Sequence, residues 1–310
     1  FEIIETFIQA YQAHSRIDVW YGPPGTQWVS DRCLMQIAER ATYWNTGIQI
    51  HALESFYEKL EGIRSYGSST IQHLYQLGVL SERLSIAHGV WLTEPDLEIL
   101  AETRASVSHN PSSNLRLRAG IAPLNAMLQA RITVGLGMDG TTIEDNEDMF
   151  TEMRLALRLN RSPRLKSSAP TIEDIFQMAT SGGAKLLLHE QEIGKLAPGY
   201  KADLVLIDLD RIVYPWIAPE ANPLHVVLLR AQAGDVDTVL IDGEIVFEDG
   251  KPTRFDMNAI AQEIAAQLNA APDCQSAIAL ANQLQPYLEN WYSAWEAPEA
   301  KPYIALNSCI

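Results

Sequence analysis

The stretch Ile48-Gln49-Ile50-His51-Ala52-Leu53-Glu54 is short and apolar with isoleucine at alternate positions, and it closes on two ionisable side chains. A run of this length bounded by polar segments reads as a buried strand rather than a helix. Similar strand-like runs occupy residues 17–21, 84–92, 105–109 and 132–137, which makes five in all. Between them, residues 31–43, 70–77, 94–103 and 124–130 carry apolar positions at helical spacing. Strand and helix in alternation is the pattern of βαβ units around a parallel sheet. Thr93 before Glu94-Pro95-Asp96 predicts a helix N-cap with acidic residues in the first turn.

Outward from this region the texture changes. Phe1, Ile4, Phe7, Ile8 and Tyr11 mark one face of an opening helix, and the absence of an initial Met suggests sequence upstream. Residues 146–159 predict a helix, and Thr171 caps another running to about residue 180. Residues 194–250 hold β-rich pieces at 204–207, 238–241 and 245–248, punctuated by Pro198-Gly199, Asp242-Gly243 and Asp249-Gly250, which are hairpin signals. From 258 to 295 the chain is rich in Ala, Gln and Leu and reads as helical, with breaks expected near Pro272 and Pro286 and a loose tail after Pro298. The expected units are 1–190, 191–255 and 256–310.

With 310 residues and 47% hydrophobic positions the chain can bury a sizeable core. Its 39 Asp and Glu against 23 Lys and Arg give a net charge of -16, which disfavours a surface made to track nucleic-acid phosphates. No apolar run approaches the roughly 20 residues of a membrane helix. Cys33, Cys274 and Cys309 are far apart and in no Cys-x-x-Cys spacing, which fits a reducing cytoplasm better than a disulfide framework.

In parallel α/β proteins the C-terminal ends of the strands face the functional side. His51, Glu54, His88, His109 and Asp139 all fall at or near such ends. Taken singly, each has a plain explanation: a hydrogen-bonded structural His, an Asp-Gly turn, a solvated helix start. Together they weigh differently, because withdrawing several ionisable groups from water is costly unless a metal or substrate uses them. Gln27 and Trp28 follow the first run and could frame a flat ring, although tryptophans such as Trp28 and Trp91 more often serve core or rim packing and Trp20 suits packing alone. Residues 109–115 read as a polar loop kinked by Pro111. Glu144, Asp145, Glu147 and Asp148 read as a solvated loop and helix start.

The ordered series Gly22-Pro23-Pro24-Gly25-Thr26-Gln27-Trp28, His51-Ala52-Leu53-Glu54, Ala87-His88-Gly89-Val90-Trp91-Leu92, Ser108-His109-Asn110-Pro111-Ser112-Ser113-Asn114-Leu115 and Gly137-Met138-Asp139-Gly140 resembles the amidohydrolase superfamily. The resemblance is to its cytosine-deaminase-like branch of heterocycle deaminases and triazine hydrolases. It extends to the segment from Ile193 through Gly199 to Val205, which is similar to that family's return into its small β domain.

The resemblance implies an α/β fold: a (β/α)₈ barrel, of which this chain would hold roughly strands 4–8, with a β-sandwich domain and a helical tail. It implies one divalent metal, Zn²⁺ before Fe²⁺, with His51 and Asp139 as ligands. Glu54 would shuttle protons, His88 would polarise the substrate, and Gln27, Trp28, His88 and His109 would contact it. The implied reaction is attack of metal-bound hydroxide on a ring carbon of a pyrimidine, purine, pterin or triazine. A homo-oligomer is compatible with this reading. The family's His-x-His, which supplies two further ligands, does not occur in this sequence and would lie upstream of Phe1, and Met138 stands where the family has Ser or Thr. A reading of another class is a catalytically silent barrel fragment serving as an assembly module.

Overall fold

The computed structural model describes residues 1–140, 146–161, 169–270 and 274–295. Its first sheet has four parallel strands in the order β1 (Ile48–Ala52), β2 (Leu84–His88), β3 (Ser106–His109) and β4 (Val134–Leu136). Parallel neighbours require a crossover. Here the crossovers are Phe56–Tyr66 with Thr70–Gln76, then Glu94–Thr103, then Pro111–Arg116 with Leu124–Gln129. The register sets Ala52 opposite His88 and His109 opposite Leu136, so the strand ends bearing ionisable groups share one edge.

Every residue of β2 is buried, as expected of a strand covered on both faces. The core joins Ile48, Ile50, Leu84, Ile86 and Val107 of the sheet to Ile71, Leu74, Leu100 and Met127 of the helices. Asp96 fixes the start of Glu94–Thr103 by accepting hydrogen bonds from the Thr93 N–H (2.8 Å) and hydroxyl (2.6 Å).

The expected strand at 17–21 does not form a ladder. Only Tyr21 and Gly25 bridge to Ile48 and His51 of β1. Asp18 takes the Val19 N–H for itself and the Thr46 hydroxyl donates to the Val19 carbonyl, so neither backbone group of Val19 is left for a neighbouring strand. Pro111 does not kink a loop either. It occupies the first turn of a helix, where its missing N–H costs nothing.

The second sheet is antiparallel, in the order β5 (Leu204–Ile207), β6 (Val236–Ile241), β7 (Glu244–Glu248) and β8 (Lys251–Pro252). Asp242-Gly243 and Asp249-Gly250 both run at positive φ (52° and 78°, 51° and 73°), as tight hairpin turns demand. Arg16, in the segment that follows the helix Glu2–Tyr11, pairs with Asp242 and Glu244 of this sheet's β6–β7 turn.

Asp148 is not solvated as expected. It is buried, capping the helix Met149–Leu159 through the Phe150 N–H (2.8 Å) and accepting from the Ala233 N–H (3.3 Å). Glu147 is exposed, whereas Glu144 and Asp145 lie outside the described residues, as do Pro272 and the tail after Pro298. Pro286 does not end its helix, which runs from Gln275 to Ser293. The helix is exposed along its length, so water can satisfy the Asn282 carbonyl that Pro286 leaves without its usual donor. Among the described residues no helix is long and apolar enough to cross a membrane.

Candidate active site

The chain turns sharply at the sheet edge where the ionisable groups collect. Leu53, His88 and Asp139 all have positive φ (53°, 75° and 68°). Side chains rarely take this conformation, which costs on the order of 1–3 kcal/mol and concentrates at functional sites. These turns bring His51, His88 and Asp139 together, with one ligand atom from each lying within 4.8 Å of the others. Glu54 joins them: its Oε2 is 3.9 Å from His88 Nε2, which is itself 4.0 Å from Asp139 Oδ2.

The orientation of each group is fixed from behind. His51 Nδ1 lies 2.8 Å from the Pro24 carbonyl. A carbonyl can only accept, so Nδ1 carries the proton and Nε2 keeps its lone pair. His88 Nδ1 lies 2.9 Å from Asn114 Oδ1, which leaves Nε2 as the nitrogen turned toward Glu54 and Asp139. Ser113 donates its hydroxyl to Asp139 Oδ2 at 2.6 Å. Two imidazoles held in the Nε2-accepting tautomer beside an oriented carboxylate form a donor set suited to zinc or divalent iron. The residues present therefore fit such a metal.

His109 is 1% exposed, and neither ring nitrogen has a hydrogen-bond partner among the described residues. Burial, with the nearby charge of His88, pushes its pKa down to about 4, so it is neutral near pH 7. Gln27 and Trp28 sit in a short turn after Gly25, the residue that bridges to His51. Trp28 is 73% exposed, which rules out core packing, whereas Trp91 is part-buried, with its indole N–H donated to the Ala119 carbonyl (2.8 Å).

Three supporting residues escaped the sequence reading. Ser113 and Asn114 lie inside a segment whose polar, proline-containing sequence predicts a loop, and only its helical form turns both toward the strand ends. Glu58 carried a visible signal, since Ser55-Phe56-Tyr57-Glu58 has the spacing of a capping box.

The sequence profile of the amidohydrolase family matches residues 2–246, and the chain belongs to that family. It is 36% identical over 253 residues to a 5-methylthioadenosine/S-adenosylhomocysteine deaminase of Thermoanaerobacter pseudethanolicus, covering 82% of this chain and 58% of that protein. Among solved structures, an adenosine deaminase from Xanthomonas campestris with bound zinc superposes with a TM-score of 0.82 at 26% identity, over 87% of this chain and 61% of the other. An atrazine chlorohydrolase of Arthrobacter aurescens, complexed with zinc, shares the fold at a TM-score of 0.78 and 23% identity, over 86% and 58%. The chain thus spans about three fifths of the length of these proteins.

Proposed function

We propose that this chain carries the working edge of a metal-dependent hydrolase that removes the exocyclic amine of a purine nucleoside, replacing the ring C–NH₂ with C–OH and releasing ammonia. One observation carries the reading. His51 and His88 are both tethered through Nδ1, with Asp139 and Glu54 gathered at the free side of His88. His51 and Asp139 would hold the metal. A divalent ion at such a site supplies Lewis acidity, making water acidic enough to act as a nucleophile near neutral pH.

The remaining work falls to the protein's own groups. Glu54, part-exposed beside His88, takes the proton that water loses and delivers it to the ring nitrogen next to the reacting carbon. His88 Nε2 lies between the Glu54 and Asp139 carboxylates, and with a proton on Nε2 as well as on Nδ1 it would donate to the oxygen developing on the substrate carbon. Trp28 stacks on the ring, and Gln27 and His109 contact its edge. A purine nucleoside is the favoured substrate because the relative at 36% identity and the solved neighbour at 26% are both named for adenosine-type compounds. The cytoplasm is the proposed setting, in keeping with three widely spaced cysteines.

The test is ammonia release from adenosine, 5-methylthioadenosine and S-adenosylhomocysteine, with chloride release from a chlorotriazine as the comparison, by zinc-loaded protein. Turnover of an adenosine compound supports the proposal. Zinc binding with ammonia released from none of them would overturn the substrate class, and failure to bind zinc would overturn the enzyme reading in favour of a non-enzymatic module.

A further inference from the structure

The turn that presents Glu54 is held by a carboxylate outside the site. Ala52 ends β1, Leu53 swings into the left-handed region at φ 53°, and the next peptide carries Glu54. The N–H groups of these two residues point at one side chain: Leu53 N–H donates to Glu58 Oε1 at 2.7 Å, and Glu54 N–H to Glu58 Oε2 at 2.8 Å. Each carboxylate oxygen takes one donor.

Ordinary helix capping does not account for this arrangement. Ser55 is the N-cap of the helix Phe56–Tyr66 and accepts the Glu58 N–H at 3.1 Å, as one half of a capping box would have it. In a capping box the glutamate returns to the N–H of the N-cap residue itself. Glu58 instead reaches one and two residues further back, past Ser55, to the peptides on either side of the strand-to-helix turn. Its bonds therefore fix the direction in which Glu54 leaves the strand.

We infer that Glu58 is a positioning residue for Glu54: its carboxylate locks the Leu53–Glu54 peptide so that the Glu54 carboxyl stands 3.9 Å from His88 Nε2. This rests on the reading of Glu54 as the proton carrier. Carboxylate acceptors make shorter and stronger hydrogen bonds than neutral ones. A glutamine in its place offers one carbonyl to two donors and sets its own NH₂ against the other.

The experiment compares Glu58→Gln, Glu58→Asp and Glu54→Gln in the zinc-loaded protein. It follows kcat and KM for ammonia release, zinc content and the ¹H–¹⁵N amide resonances of Leu53 and Glu54. A misplaced general acid–base group predicts that Glu58→Gln loses about 10- to 100-fold in kcat with KM changed less than about twofold. Zinc content stays at the wild-type level, and both amide protons move upfield. Glu58→Asp keeps the charge on a shorter stem and retains more kcat than Glu58→Gln; if the glutamine variant does not fold, the aspartate variant carries the comparison against wild type. Wild-type kcat in Glu58→Gln, a kcat loss that merely tracks zinc loss, or unmoved Leu53 and Glu54 amides would each overturn the positioning role. Full turnover in Glu54→Gln would instead overturn the proton-carrier reading, whatever the amides of the Glu58 variants do.

Discussion

Ser113 reaches from the helix Pro111–Arg116 to the strand-end residue Asp139 and donates a 2.6 Å hydrogen bond to its carboxylate. One residue on, Asn114 does the corresponding service for His88 at 2.9 Å. A single helical turn thus orients two groups that arrive from different strands. Partners behind metal ligands typically contribute about 10- to 100-fold to metal affinity. Ser113→Ala should weaken zinc binding by about that factor while leaving the fold intact. Zinc titration of the metal-free variant checks this, and an unchanged affinity would remove Ser113 from the site.

Asn114→Leu removes the acceptor for the His88 Nδ1–H, in a pocket where His88 and Asn114 are each 1% exposed. A buried donor left without a partner costs about 1–3 kcal/mol. Urea unfolding of the metal-free protein should show a loss of that size. A stability equal to wild type would mean that His88 finds another partner.

Gly137 stands two residues before Asp139 with no room for a side chain. A Cβ there would lie 2.4 Å from Asn110 Oδ1 and 2.7 Å from Ser108 Oγ. Gly137→Ala should therefore cost about 1–3 kcal/mol and displace the strand end that carries Asp139. Zinc affinity should fall together with thermal stability. A variant with both properties unchanged would contradict the packing at this edge.

The contact of Arg16 with the β6–β7 turn should respond to acid. Glu244 is held down to about pKa 2, first by Arg254 and then by Arg16. A carboxylate with a depressed folded pKa adds stability above its unfolded value, and that stability disappears as pH falls through the folded one. The contact should persist from neutral pH to about 4.5 and loosen progressively toward about 2. Hydrogen exchange at Asp242 and Glu244 in the β6–β7 turn reports it. Loosening that begins above pH 6 would point to a different group.

The central strands were legible because Ile48, Ile50, Leu84, Ile86 and Val107 are apolar for a reason local to their strands, namely burial in the sheet. Their ionisable ends could be aligned because parallel strands deliver their C-termini to one edge. The segment 17–21 misled for the opposite reason: its residues favour strands, but Asp18 satisfies the neighbouring donors locally. Proline was ambiguous in the same way, since Pro111 starts a helix and Pro286 rides within an exposed one. Ser113 and Asn114 act on residues 26 positions away in sequence, so their roles are visible only with the helices placed against the strands. Glu58 shows a capping spacing in the sequence, but its reach to the Leu53 and Glu54 N–H groups depends on the strand-to-helix turn.

Zinc stoichiometry in wild-type protein, Asp139→Asn and Glu54→Gln tests the central claim most directly. The assigned roles predict one equivalent of zinc in the wild type, clear loss in Asp139→Asn and full retention in Glu54→Gln, with turnover reduced about 10²- to 10⁴-fold in the last. Equal zinc loss in both variants would contradict the division of labour between ligand and proton carrier. No stoichiometric zinc in the wild type would contradict the metal centre itself.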